Sequence, residues 1–136
     1  MADCLFCGIA AGEVPAAVIA ENDAAIAFMD IFPAVEGHAL VIPREHHDDA
    51  LAAGPAALAA CMDLAGAVGR AQEAALGATG VTFLSCARAD GWQSVFHLHV
   101  HVLPRRADDG LVVPWPVAAG DPERIAAVAE RLRRAA

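Results

Sequence analysis

The chain has 136 residues, 57% of them hydrophobic and 19% charged, with a net charge of −8. That is one domain by length, expected to span residues 1–136, and it is too apolar to remain disordered. Seventeen acidic residues against nine basic ones, all Arg, argue against an electrostatic grip on nucleic acid. No apolar run is long enough to span a bilayer, and the opening MADCLFCG lacks the basic-then-apolar order of a secretory signal. A soluble cytoplasmic protein is expected, bound to neither nucleic acid nor membrane.

Residues 4–11 (CLFCGIAA) predict a short helical turn ended by Gly12. Two short strands follow at 16–20 and 24–29, joined by a tight link through Asn22 and Asp23, both good turn residues. A third strand is predicted at 38–43, closed by Pro43. Residues 55–76 form the main helix, with Leu58, Cys61, Met62, Ala65, Val68 and Leu76 recurring at helical spacing. Pro55 suits its first turn and Gly77 its C-terminal cap. Strands at 80–86 and 95–103 come next. A loop then leads to a helix over 122–134, started by Asp121-Pro122-Glu123. Short links favour antiparallel pairing, so the fold class is α+β.

The stretch 95–103 carries the chemistry. His97, His99 and His101 alternate with Leu98, Val100 and Val102. On a strand this puts three imidazoles on one face, with Phe96, Leu98, Val100 and Val102 against the core. One histidine in such a place is more often a satisfied polar residue. Three in alternation point to a site, either a metal shared between imidazoles or a nucleophile with helpers.

The cysteines number four. Cys4-x-x-Cys7 has the spacing of a structural zinc pair, with His46, His47 and His97 available as further ligands. A free pair of thiols is the plainer alternative. Cys61 falls on the apolar stripe of the long helix and reads as packing.

QSVFHLHVHVLPR, residues 93–105, resembles the signature of the histidine triad (HIT) proteins, three histidines alternating with hydrophobic residues. CLFCGIAAGEVPA at 4–16, AFMDIFPAVEGHALVIPREH at 27–46 and the long helix follow in the order of the bacterial Hint-like branch. The resemblance covers residues 4–106 and leaves 107–136 as a C-terminal loop and helix. It implies a five-stranded antiparallel sheet with a long helix and a C-terminal helix, and a homodimer.

For the site, the resemblance implies that His99 is the nucleophile, attacking the α-phosphate of a nucleotide to form a nucleotidyl-histidine. His101 would stand beside the phosphate. Ser94 would hydrogen-bond the leaving group, with Gln93 next to it among the substrate contacts. Asp30 would accept from the ribose hydroxyls. Phe28 and Ile31 would flank the base, although by residue type alone both belong in a core. His38 would support the triad. Cys4, Cys7, His46 and His97 would hold a structural Zn²⁺, His46 being preferred to His47 by its position in PREH. No catalytic metal is expected.

The implied activity is release of a nucleoside 5′-monophosphate, a purine and AMP-like one, from a phosphoramidate or similar group. The alternatives are a Fhit-like dinucleoside polyphosphate hydrolase, a nucleotidyltransferase, and a nucleotide-binding scaffold with weak turnover. Three features depart from the pattern. Cys86 stands where many members have Asn, Trp92 directly precedes Gln93, and Trp115 lies farther from the triad than the C-terminal tryptophan of Hint proteins. These bear on substrate specificity more than on the nucleophile.

Overall fold

The computed structural model describes residues 3–136. Its centre is a five-stranded antiparallel sheet in the order β1-β2-β3-β5-β4. The strands are β1 (Val18–Glu21), β2 (Ala25–Met29), β3 (Ala39–Pro43), β4 (Gly80–Leu84) and β5 (Val100–Arg105). Strict alternation along β2 and β3 gives this sheet two different faces. Ala25, Ala27, Ala39 and Val41 point one way with Val100 and Val102, while Ile26, Phe28, Leu40 and Ile42 point the other.

The face of small residues receives the long helix α2 (Pro55–Leu76) through Cys61, Leu64, Ala65 and Val68. Alanines on the strands and Gly69 on the helix let the two layers approach closely. A Cβ on Gly69 would lie 3.4 Å from Val81. Pro55 occupies the first turn of α2, and Gly77 ends it at φ 68° with its N–H on the Gln72 carbonyl. The buried stripe follows a 3.6 period through 61, 64, 65, 68 and 72. Met62, expected on it, falls outside that stripe and is exposed, and Leu76 sits at its edge.

The face of large residues receives α1 (Leu5–Ala10), which buries Phe6 and Ile9 there. The turn after β1 is built by Asn22, whose Oδ1 accepts from the Ala24 and Ala25 amides and whose Nδ2 donates to the Ala60 carbonyl of α2. Residues 111–121 form neither helix nor strand, and α3 (Pro122–Ala135) buries no residue. Among the described residues no helix is long and apolar enough to cross a membrane.

The predicted strand at 95–103 is corrected. The ladder begins only at Val100, paired with Val41, and residues 95–99 run outside it. The cause lies at Pro43. Its carbonyl is taken by the side chain of His97 at 3.0 Å, and the Leu98 amide turns away to the His47 carbonyl at 2.7 Å. Without ladder pairing the alternation is lost at the start of the stretch, and Phe96, expected in the core, is 54% exposed. Leu98, Val100 and Val102 are buried as expected. The three histidines stay on the opposite, α1 side, with Phe6 edge-on to both His97 and His99 and with the rings of His99 and His101 5.0 Å apart.

Candidate active site and metal centre

His97 points to one side of the irregular stretch. Cys4 and Cys7, at the start of α1, face it with Sγ atoms 3.4 and 3.5 Å from its Nδ1. His46 completes the group, its Nδ1 3.4 Å from Cys7 Sγ. The outer nitrogens settle the tautomers. His97 Nε2 meets the Pro43 carbonyl and His46 Nε2 meets the Asp48 carboxylate at 2.9 Å, so both outer nitrogens donate. Both Nδ1 lone pairs then face the thiols, the arrangement that carboxylate- and carbonyl-held metal histidines adopt.

Burial pushes the Cys4 thiol up, but hydrogen bonding, first of all from the Cys7 backbone amide, outweighs it and leaves the thiol lowered. Burial keeps His97 neutral by pushing its pKa down. Two thiols and two imidazoles within 4.8 Å of one another can hold a metal ion. His47 takes no part, because its ring is directed at Glu45.

His99 and His101 line a cavity of about 450 Å³ on the α1 face of the sheet, together with Phe28, Asp30, His38 and Ser94. His99 Nδ1 lies 2.7 Å from the carbonyl of His97 and so must donate to it, which leaves the lone pair on Nε2. Ser85 fixes the same residue by its main chain, its Oγ donating to the His99 carbonyl at 2.7 Å. Burial pushes the pKa of His99 down, against the pull of the His97 carbonyl and the Asp30 charge. A neutral imidazole with one free lone pair is a nucleophile.

The tautomer of His101 follows from a chain that starts at a backbone amide. Ala34 N–H donates to His38 Nδ1 at 3.0 Å, so the proton of neutral His38 must sit on Nε2. That N–H is 2.9 Å from His101 Nδ1 and 3.4 Å from Asp30 Oδ2. It donates to His101, whose own proton is thereby placed on Nε2, the nitrogen not engaged with His38. Burial, then the neighbouring His99 and His38, push His101 down to about 4. His101 is therefore a neutral N–H donor at neutral pH, beside the His99 lone pair, with ring centroids 5.0 Å apart.

The remaining expected residues divide. Phe28 is buried and Ile31 is 82% exposed, yet both border the cavity. Ile31 lies beyond the end of β2, in a turn where Asp30 Oδ1 accepts from the Phe32 amide, so the core expectation fails for it. Gln93 does not line the cavity. Its side chain is buried in main-chain bonds, accepting from Arg88 N–H at 2.6 Å and donating to the Asp48 and Val95 carbonyls. Its place among substrate contacts is corrected to that of a brace, because a buried amide spends its donors on carbonyls that would otherwise be unpaired. Cys61 is fully buried, its thiol pushed up to about 11 by burial.

Phe6 and Ser85 were not anticipated from the sequence. Phe6 stands between the two groups, edge-on to His97 at 5.9 Å and to His99 at 5.1 Å. Its position inside the CxxC segment was the available signal. For Ser85 there was none, since a serine at a strand end is ordinary. A second cavity of about 470 Å³ opens beside Arg106 and Asp109, and no histidine lines it.

Sheet, imidazole-lined cavity and Cys/His cluster define an α+β protein with a histidine-lined cavity beside a group of residues that could hold a metal ion. The HIT domain family model matches residues 11–108, and the chain belongs to that family. It is 35% identical over 130 residues to adenosine 5′-monophosphoramidase hnt1 of Schizosaccharomyces pombe, covering 95% of each chain. Among solved structures it is similar to SMU.412c from Streptococcus mutans UA159, with TM-score 0.92, 35% identity, and 98% and 85% of the two chains covered. It is also similar to a Zn-bound histidine triad family protein from Mycobacterium smegmatis, with TM-score 0.78, 32% identity and 99% of each chain covered.

Proposed function

We propose that this chain hydrolyses nucleotide phosphoramidates, releasing a nucleoside 5′-monophosphate, through a covalent intermediate on His99. The observation that carries the reading is the bond from His99 Nδ1 to the His97 carbonyl, which leaves a neutral Nε2 lone pair at the cavity. That nitrogen attacks the α-phosphorus as the P–N bond to the leaving amine breaks. His101 Nε2–H donates to a non-bridging oxygen, where negative charge builds. Ser94 hydrogen-bonds the departing nitrogen, which takes a proton from solvent as the P–N bond breaks and leaves as the amine. Water then attacks phosphorus and gives a proton back to solvent, the His99–P bond breaks with its electron pair returning to Nε2, and the monophosphate is released.

Asp30 and the apolar border formed by Phe28 and Ile31 take the ribose and the base. A purine suits an apolar border of this kind, and the similarity to an adenosine 5′-monophosphoramidase supports it. Zn²⁺ is the ion we assign to Cys4, Cys7, His46 and His97, since paired thiolates and imidazoles are its usual closed, structural donor set. Bound there, it supplies rigidity by tying α1 to the segment that carries His99.

The test compares the protein with His99→Ala on an AMP-amine phosphoramidate and on diadenosine polyphosphates. Turnover of the phosphoramidate, abolished by the substitution, is expected. Undiminished turnover in the variant overturns the nucleophile, and preference for the diadenosine substrates overturns the substrate class.

A further inference from the structure

Among the described residues, two that are not glycine have a positive φ: Arg88 at 67° and Trp92 at 74°. Both lie in the short loop between β4 and Ser94, and Trp92 closes its one 3₁₀ turn, Ala89–Gly91. A bulky side chain disfavours this conformation, which persists only where surrounding contacts impose it and which clusters at working sites. The contacts are visible here. Arg88 Nε is 3.6 Å from the buried carboxylate of Asp49, and Gln93 braces the loop to the Asp48 carbonyl. Trp92 is stacked on Trp115, with ring centroids 5.7 Å apart and planes at 20°. Trp115 comes from the irregular segment after β5, so the stack joins two parts of the chain that secondary structure leaves unconnected.

We propose that the Trp92–Trp115 stack is a clamp that positions Ser94. It holds the 88–93 loop in its strained form and so sets where the Ser94 hydroxyl stands against the leaving group. Trp92 and Trp115 are thus positioning residues. The inference rests on the reading of Ser94 as the leaving-group partner. Glycine adopts a φ of 74° unaided, so Trp92→Gly removes the need for the clamp along with the clamp itself.

The test uses the full chain and its variants. These are the only two tryptophans, and the chain has no tyrosine, so the exciton couplet of the stacked indoles in far-ultraviolet circular dichroism reads the clamp directly. Trp115→Ala is expected to abolish the couplet and to speed amide hydrogen exchange at residues 88–95. It should lower kcat by up to about a hundredfold, the cost of a displaced catalytic group, with KM unchanged. The loss should be larger for a poorly departing alkylamine than for an activated leaving group, as in Ser94→Ala. Trp115→Phe should recover most of the rate. W92G should stay within about twofold of the native rate, and W92G/W115A should match W92G.

A native protein without the couplet overturns the clamp. So does W115A with unchanged exchange and kcat, and so does a W115A defect that persists in the W92G background. Native protein that turns over no nucleotide, with His99→Ala no different, defeats the functional reading instead. Hydrogen exchange then still decides the clamp.

Discussion

Two groups of side chains flank the His97–His101 stretch, and they are made of similar material. Cys4, Cys7, His46 and His97 form one, and Asp30, His38 and His101 form the other, each with its donor atoms within 4.8 Å of one another. What separates them is the partner of the outer imidazole nitrogen. In the first, a carbonyl and a carboxylate accept from the outer nitrogens of His97 and His46, which turns both lone pairs inward to the thiols. In the second, the backbone N–H of Ala34 occupies the outer nitrogen of His38, which forces a proton inward. A metal ion at that inner nitrogen would leave two donors facing each other in a buried place, a cost of about 1–3 kcal/mol. One group therefore turns its lone pairs to where a cation could sit, and the other passes an N–H donor along to the cavity. His97 belongs to both, its side chain to the first and its carbonyl, which holds His99, to the second.

The largest effect should come from removing the nucleophile. His99→Ala is expected to lower kcat at least about 10⁴-fold, while metal content stays at about one zinc per chain. Rapid-quench assay and elemental analysis of the same preparation check both halves. Cys7→Ser should do the reverse. Zinc falls to none, and the stability supplied by the ion is lost, about 4 kcal/mol at a metal level a thousandfold above Kd. Turnover should drop by only about tenfold, as when a group behind the reacting one is loosened. His97→Ala should resemble Cys7→Ser rather than His99→Ala, because the carbonyl that holds His99 survives the substitution. Complete loss of turnover in a folded, zinc-free His97→Ala would show that the two groups are not separable.

Much of this division was written in residue types. Short apolar runs bounded by Asn22, Asp23 and Pro43 made β2 and β3 legible, and the CxxC with spaced histidines made the cluster of Cys4, Cys7, His46 and His97 so. The tautomers were not legible, since they depend on Pro43, Ala34 and His97 contributing main-chain atoms, which any residue carries. Alternation also misled at Phe96, because a strand period holds only where a ladder enforces it. Gln93 was misplaced for a related reason. Its neighbour Ser94 reaches the cavity, but the amide side chain is spent on three backbone partners within its own turn and the adjoining loop.

A smaller effect isolates the N–H relay. His38→Phe removes the donor to His101 Nδ1 and frees that ring to carry its proton on either nitrogen. A loss of about tenfold in kcat is expected, the worth of one oriented hydrogen bond, with zinc content unchanged. If zinc falls as well, His38 supports the metal group and the separation drawn above is wrong.

The smallest effect is a displacement along the pH axis. His101 is pushed down to about 4 by burial and by the adjacent His99 and His38, while Asp30 pulls the other way. The neutral form is the one the fold favours. Its contribution to stability is thus complete above the ordinary histidine value near 6.5 and is lost as pH falls from there toward 4. Activity follows the same sign, so the acid limb of kcat/KM should lie below 6.5. The Asp30 carboxylate stabilises the protonated forms of both His99 and His101. Asp30→Asn removes that charge, lowers both values further, and should move the acid limb to lower pH by up to about one unit. The shift is read from the shape of the profile, so a weaker grip on ribose in the same variant lowers its height without moving its midpoint. A midpoint that moves upward would mean that the carboxylate does not act on these histidines from its place at the end of β2.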